Sequence, residues 1–299
     1  MNRREFIKAS LVGLITPLIV GLPLERFLPK AYAEGRVILA QAQGGGMEAR
    51  LKRVLTPLGG IERFVHKGSR VVLKPNAGWA RKPEEGANTN PELIYHLTKL
   101  CFKAGARSVE IYEHSCDSYE LAFKESGIQA AVESAGGKMY SAHNRRLYRS
   151  IPIPRGKALK NCQVIKPVLE ADCLINVPVT KSHNALPVTL GIKNLMGLVL
   201  DRGFWHYAGL EQCMVDFATR VIPQLTVIDA TQLLLTNGPK GPGKLQRKDM
   251  LIAGIDPVAC DALACTLFNL KPESLPYLGM AKQMGLGECD LNKIEVKKV

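Results

Sequence analysis

The residues of this chain best suited to chemistry are Lys74, Lys181, His183 and Lys193, with Asn76 and Asn194 beside them. A lysine in a dry cleft can hold an anion or give up its proton. An imidazole can shuttle a proton near neutral pH. Asparagine amides can orient a carboxylate or an oxyanion. Four of these six residues lie in one stretch, 172–200, which reads DCLINVPVTKSHNALPVTLGIKNLMGLVL. Its apolar run, 173–179, has the length of a buried strand, with a buried helix segment as the alternative that periodicity leaves open. Five polar residues, Thr180, Lys181, Ser182, His183 and Asn184, stop the run. Lys193 and Asn194 follow, set between Gly191-Ile192 and Leu195-Met196-Gly197. In open α/β sheets ligands bind beyond the carboxyl ends of the strands, which is where Lys181 and His183 then fall.

The elements that must position these groups can be read in turn. A strand over 36–40 precedes a helix over 47–58, with Leu51, Val54, Leu55 and Leu58 on one face and Gly59-Gly60 at its end. The strand Val71-Val72-Leu73 runs straight into Lys74-Pro75-Asn76, and Pro75 keeps Lys74 extended. Asn90 and Pro91 start a helix that reaches about residue 103. A strand over 108–112 ends at Glu113-His114-Ser115, and strand–helix–strand order implies parallel pairing. One helix is expected within 117–135 and an irregular basic surface over 138–160. Further on come a helix over 210–222, a strand over 225–228 finishing at Asp229, and a Gly/Pro-rich flap over 237–244. That flap lacks the phosphate-loop form. A strand over 250–255 ends at Asp256-Pro257, a helix over 258–267 contains Asp261, and a last helix covers 274–284. The fold expected is α/β, with a largely parallel central sheet, helices on both faces, and two lobes around a cleft as a variant.

A wider set of side chains could join the cleft. Asp256 is assigned to catalysis with Lys181, His183 and Lys193, although capping the following helix serves equally well. Lys74, Asn76, Asn90, Asn194 and His206 are assigned to substrate binding; His206 follows Phe204-Trp205, whose rings suit packing too. Asp229, Asp256 and Asp261 form a candidate set for a divalent metal.

The 299 residues are 46% hydrophobic and 22% charged, an ordinary globular make-up, with a net charge of +13. That surplus favours acidic partners, whether small anions, anionic lipid heads or an acidic protein. Nucleic acid is excluded as a partner, because the basic residues are dispersed and interleave with no aromatic strip. Residues 1–33 read as an export signal: Arg3-Arg4 in a segment that resembles the twin-arginine consensus, an interrupted apolar stretch from Ala9 to Leu24, and Ala31-Tyr32-Ala33 as a cleavage site. The mature domain is then 34–299, in the periplasm or beyond, touching a membrane only if the signal is kept. Eight cysteines are present without CxxC spacing. Cys173, Cys260 and Cys265 read as core residues, and a cluster built from Cys116, Cys213 and Cys289 stays open.

Several of these segments together resemble the Domain of Unknown Function 362 family. They are VVLKPN at 71–76, Thr89-Asn90-Pro91, DCLINVPVTKSH at 172–183, KNLMG at 193–197, DPVACD at 256–261 and Gly285-Leu286-Gly287. They occur in the family's order over nearly all of the mature chain. The resemblance implies an α/β domain and an association with iron–sulfur chemistry, since many relatives carry a ferredoxin-like module; no such module is present here. Two functions remain open at this point. One is an enzyme acting on a small anionic substrate by acid–base chemistry, with a redox link as a variant. The other is a non-catalytic accessory protein that holds a metal, an iron–sulfur cluster or another cofactor for a periplasmic redox partner.

Overall fold

The structure is a computed structural model that describes residues 37–299; the proposed signal, 1–33, lies outside the described residues. Twelve strands occur among these: β1 (Val37–Gln43), β2 (Arg70–Pro75), β3 (Ser108–Glu113), β4 (Lys138–Ser141), β5 (Tyr148–Pro152), β6 (Asn161–Ile165), β7 (Cys173–Val177), β8 (Val179–Ser182), β9 (Val188–Thr189), β10 (Leu225–Leu234), β11 (Leu245–Gly254) and β12 (Ile294–Lys298). The main sheet has ten strands, in the order β12-β1-β11-β10-β7-β2-β3-β4, with β8 attached to β10 and β9 to β8. All its neighbours along that order pair in parallel except at β11, which runs antiparallel to β1 and to β10. β5 and β6 form a separate antiparallel pair.

The sheet is covered on both sides, as a parallel sheet requires. Successive side chains of a strand point to opposite faces, and the two cores divide accordingly. Cys173, Ile175 and Val177 of β7 join the core under helices Met47–Leu55 and Pro91–Lys103. Leu174 joins the other, with residues of helices Leu210–Ala218, Pro257–Cys265 and Pro276–Gln283. Burying each large aliphatic side chain contributes about 1.5–3 kcal/mol, so these faces fix which way every strand residue points. The expected α/β architecture is therefore present.

Three local expectations change. The helix anticipated within 117–135 is two, Tyr119–Glu125 and Ile128–Ser134, separated by Gly127 with φ 70°, a left-handed conformation that glycine adopts without steric cost. The strand from 173 does not stop at the polar run. It breaks at Pro178 and resumes as β8, which carries Thr180 and Lys181 into the interior. The partner that makes this favourable is β10, whose first half pairs with β7 and whose second half pairs with β8. β10 itself runs on to Leu234, so Asp229 lies within a strand and not at its end.

Candidate functional site

The carboxyl ends of β2 and β3, together with β8, β9 and the helical turn Gly191–Asn194, enclose a cavity of about 370 Å³. β2 delivers Lys74 and, just beyond it, Asn76. β3 delivers Glu113, followed by His114 and Cys116. Lys181 and His183 come from β8 and its exit, Thr189 from β9, and Lys193 and Asn194 from the turn. Arg202 and His206 close one side, and Pro239 and Lys240 of the 237–244 loop close another. Seven of the sequence-predicted residues thus meet here: Lys74, Asn76, Lys181, His183, Lys193, Asn194 and His206.

Lys74 and Lys181 are almost wholly buried, at 1% and 0% exposure. Lys74 Nζ donates to Glu113 Oε2 at 2.8 Å and also to the Pro75 carbonyl. Burial lowers the Lys74 pKa, opposed by the charge of Glu113. Lys181 Nζ donates to Asn76 Oδ1 at 3.2 Å and to the Ala87 carbonyl, and it lies 5.7 Å from the centre of the Trp79 ring. Neither partner is charged. Burial, then the charge of Lys193, therefore brings the Lys181 ammonium down to about 7. Burial also brings Lys193 down to about 8, with Arg202 adding to the effect.

An amide relay holds these lysines in register. Asn194 Nδ2 donates to the Lys74 carbonyl and to Asn176 Oδ1, both at 2.9 Å, while Asn76 Nδ2 reaches Asn194 Oδ1 at 3.3 Å. Asn176, fully buried, donates in turn to the Gly191 carbonyl. Below the turn, Asp261 accepts from the Gly191 and Ile192 N–H groups and from the Tyr277 hydroxyl. Asp261 thus positions the segment that carries Lys193 and Asn194, and does not itself enter the cavity.

His183 changes role. Burial and the charges of Lys193, Lys181 and His206 press its pKa down to about 3, so a neutral-pH proton shuttle does not fit its surroundings. Its Nδ1 accepts from the Ala185 N–H, which leaves the proton of the neutral ring on Nε2 as a hydrogen-bond donor. His206 is also pushed below its usual range, by burial first and then by Lys193 and Arg202.

Four expected residues, Asp256, Asn90, Asp229 and Asp261, lie outside this cavity. Asp256 accepts from the Val258, Ala259 and Glu288 N–H groups; it caps helix Pro257–Cys265, so its catalytic assignment is corrected to a structural one. Asp256→Ala is expected to lower the unfolding free energy by about 2 kcal/mol, the upper end for a lost cap, while leaving ligand affinity unchanged; urea unfolding beside a binding titration checks both. Asn90 caps helix Pro91–Lys103, and its N–H donates to Asp229 Oδ2. Asn90 and Asp229 line a different cavity, of about 360 Å³, with Arg50 and Asp249. Asp229, Asp256 and Asp261 are each occupied by their own N–H or hydroxyl donors. Among the described residues no group of three or more His, Cys, Asp or Glu is placed to hold a metal ion. The aspartate trio is therefore not a metal site, and Cys116, Cys213 and Cys289 do not gather into a cluster; all eight cysteines are free.

Sequence reasoning missed Asn176, Glu113, Arg202, Trp79 and Thr189, and it named Cys116 only as a cluster ligand. Glu113 and Asn176 could have been found, since each is a polar residue at or near the end of a buried strand. Arg202 could not: it follows an apolar run and reaches the cavity only because it donates to the His114 and Ser115 carbonyls and, at 3.3 Å, to Cys116 Sγ.

The family model described as Domain of unknown function (DUF362) matches residues 71–266, which spans β2 through helix Pro257–Cys265 and hence every residue named in the cavity lining. The chain belongs to this family. This DUF362 protein is 28% identical over 263 residues to the thylakoid-associated protein sll1697 of Synechocystis sp., covering 82% of this chain and 77% of that one. Its fold is similar to that of the lactate racemase apoprotein from Thermoanaerobacterium thermosaccharolyticum, with a TM-score of 0.51 and 14% identity. That likeness covers 82% of the DUF362 chain but only 58% of the racemase chain. No helix among the described residues is long and apolar enough to cross a membrane.

Proposed function

We propose that this protein is an enzyme that binds a small anion in the lysine-rich cavity and acts on it by proton transfer through Lys181. The observation that carries this reading is a charge imbalance. Lys181, Lys193 and Arg202 face the cavity, while Glu113, the one carboxylate of its lining among the described residues, is already bound to Lys74. Uncompensated buried cations are costly, and an anion offsets that cost. The volume suits a small molecule. Lys181, at about 7, is matched to giving and taking a proton at working pH, whereas His183 serves as a neutral donor to a developing negative charge. The Thr189 hydroxyl is buried without a hydrogen-bond partner in the cavity wall, as expected of a group awaiting a ligand.

The accessory reading is the weaker one, since the residues present do not fit an iron–sulfur cluster or a three-carboxylate metal site. The place of action in this proposal is the periplasm, reached through the twin-arginine segment; exchanging Arg3 and Arg4 for lysine should block export.

A titration with sulfate, phosphate and small mono- and dicarboxylates tests the binding step. Lys181→Met is expected to weaken binding roughly 10–100-fold, the effect of losing one charge-assisted hydrogen bond. The proton-transfer step is read by NMR in D2O, as loss of the C–H signal next to the carboxylate of a substrate, with no loss in Lys181→Met. Failure of every anion to bind would overturn the proposal.

A further inference from the structure

In the acid–base reading Lys193 contributes only its charge. Its side chain is only partly exposed, yet among the described residues its Nζ has no hydrogen-bond or ion-pair partner. Lys74 has Glu113, Lys181 has Asn76 and Ala87, and Lys240 has Asp117 at 2.8 Å. The backbone on either side of Lys193 is held firmly, by Asp261 beneath Gly191 and Ile192 and by the Asn194 amide. A fixed backbone therefore presents a free amine to the space that Arg202, His206 and the unpartnered Thr189 hydroxyl also line.

From this arrangement we infer that Lys193 is a nucleophile that forms an imine with a small 2-oxo acid, whose carboxylate is held by the neighbouring Lys181 and Arg202. The inference rests on the anion-binding reading above and names the substrate class for it. Such an acid carries the two features the cavity addresses: a negative head for the cations and an electrophilic carbon beside it for the amine. Neighbouring cations are a recognised means of keeping a lysine unprotonated for this chemistry. Here burial acts first and the Arg202 charge adds to it, and with the ammonium near 8 roughly a quarter of the amine is free at pH 7.5.

The step balances without an external oxidant or reductant. The Nζ lone pair attacks the carbonyl carbon, a C–N bond forms, and the carbonyl π electrons move to oxygen. One amine proton passes to that oxygen through a water molecule, giving a carbinolamine. Protonation of its hydroxyl and loss of water then leave a C=N bond, one water being released for each imine formed. Thr189 and His183 Nε2–H are placed in the lining to hydrogen-bond the departing oxygen.

The test is reductive trapping on the full-length protein. Glyoxylate, pyruvate and 2-oxoglutarate are each added with cyanoborohydride, at concentrations where surface lysines react slowly, and the adduct is located by peptide mass mapping. The expected result is one saturable adduct on Lys193, suppressed by excess sulfate. It should be lost in Lys193→Arg, which keeps the positive charge at that position and whose folding is checked by urea unfolding. Sulfate binding without any adduct on Lys193, or with adducts spread over surface lysines, would overturn the imine and leave anion binding standing. Absence of sulfate and carboxylate binding would overturn both.

Discussion

Glu113→Ala is expected to lower the unfolding free energy by about 3–5 kcal/mol at neutral pH, the cost of stripping one partner from a buried ion pair. Lys74 and Glu113 are 1% and 4% exposed at their side chains, and no other carboxylate contacts Lys74. Glu113 Oε2 also accepts the Ala77 N–H at 3.1 Å, so alanine orphans a backbone donor as well. Burial already holds the Lys74 pKa below its usual range, and the Glu113 charge opposes that. Removing the carboxylate lets the pKa fall further, so the variant's deficit should shrink as pH rises and Lys74 sheds its proton. Urea unfolding at pH 6.5 and pH 8.5 measures the difference. Gly197→Ala offers a second route to the same pair. A Cβ there would press on Glu113 Oε1 and sit 2.8 Å from Lys74 Nζ, so it should also destabilise the protein without removing either charge.

The second large effect concerns Lys181 and pH. Its folded pKa, about 7, lies below the 10.5 of an unperturbed lysine. Between those values the unfolded chain binds more protons than the folded one, so stability rises with pH across that window. The cost of burying the charge is fully present below pH 7 and is relieved above it. Each such group contributes a slope of up to about 1.4 kcal/mol per pH unit. Lys193 adds the same sign above about 8. Buried thiols oppose it at higher pH: Cys173, for example, is pushed up to about 12, so unfolded cysteines ionise first. The clean comparison is therefore wild type against Lys181→Met between pH 7 and 8.5. The variant should be more stable at pH 7 and lose much of the slope. Equal slopes would mean that Lys181 is not held as described.

How much of this was readable in the sequence depends on whether local pattern or tertiary pairing made the decision. The apolar run 173–179 announced β7, which ends at Val177, and its position beside Lys181 and Lys193 brought the right lysines to one end of the sheet. Pro75 after Lys74 correctly marked the close of β2. Local pattern failed where burial overrides polarity. Thr180-Lys181 looks like a solvated stop, yet β10 supplies a strand partner and Trp79 covers the ammonium. The same length of β10 takes Asp229 out of the cavity and into a turn-like set with Asn90 and Thr231. Asp256 followed its local signal: Asp before Pro257 is a helix start, and it is a cap. Arg202, Glu113 and Thr189 became visible only when β3, β9 and the 202–206 segment met around one space.

Proton uptake on anion binding tests the central claim most directly. At pH 8 Lys181 is mostly neutral and a bound anion should recharge it, so sulfate binding measured by calorimetry in two buffers of different ionisation enthalpy should show uptake of roughly one proton. The uptake should fall by most of a proton in Lys181→Met, leaving at most the roughly half proton that Lys193, near 8, can take up, and wild-type affinity should fall as pH climbs from 6.5 to 9. Sulfate that binds with no proton uptake, or with the same uptake in wild type and Lys181→Met, would contradict the account.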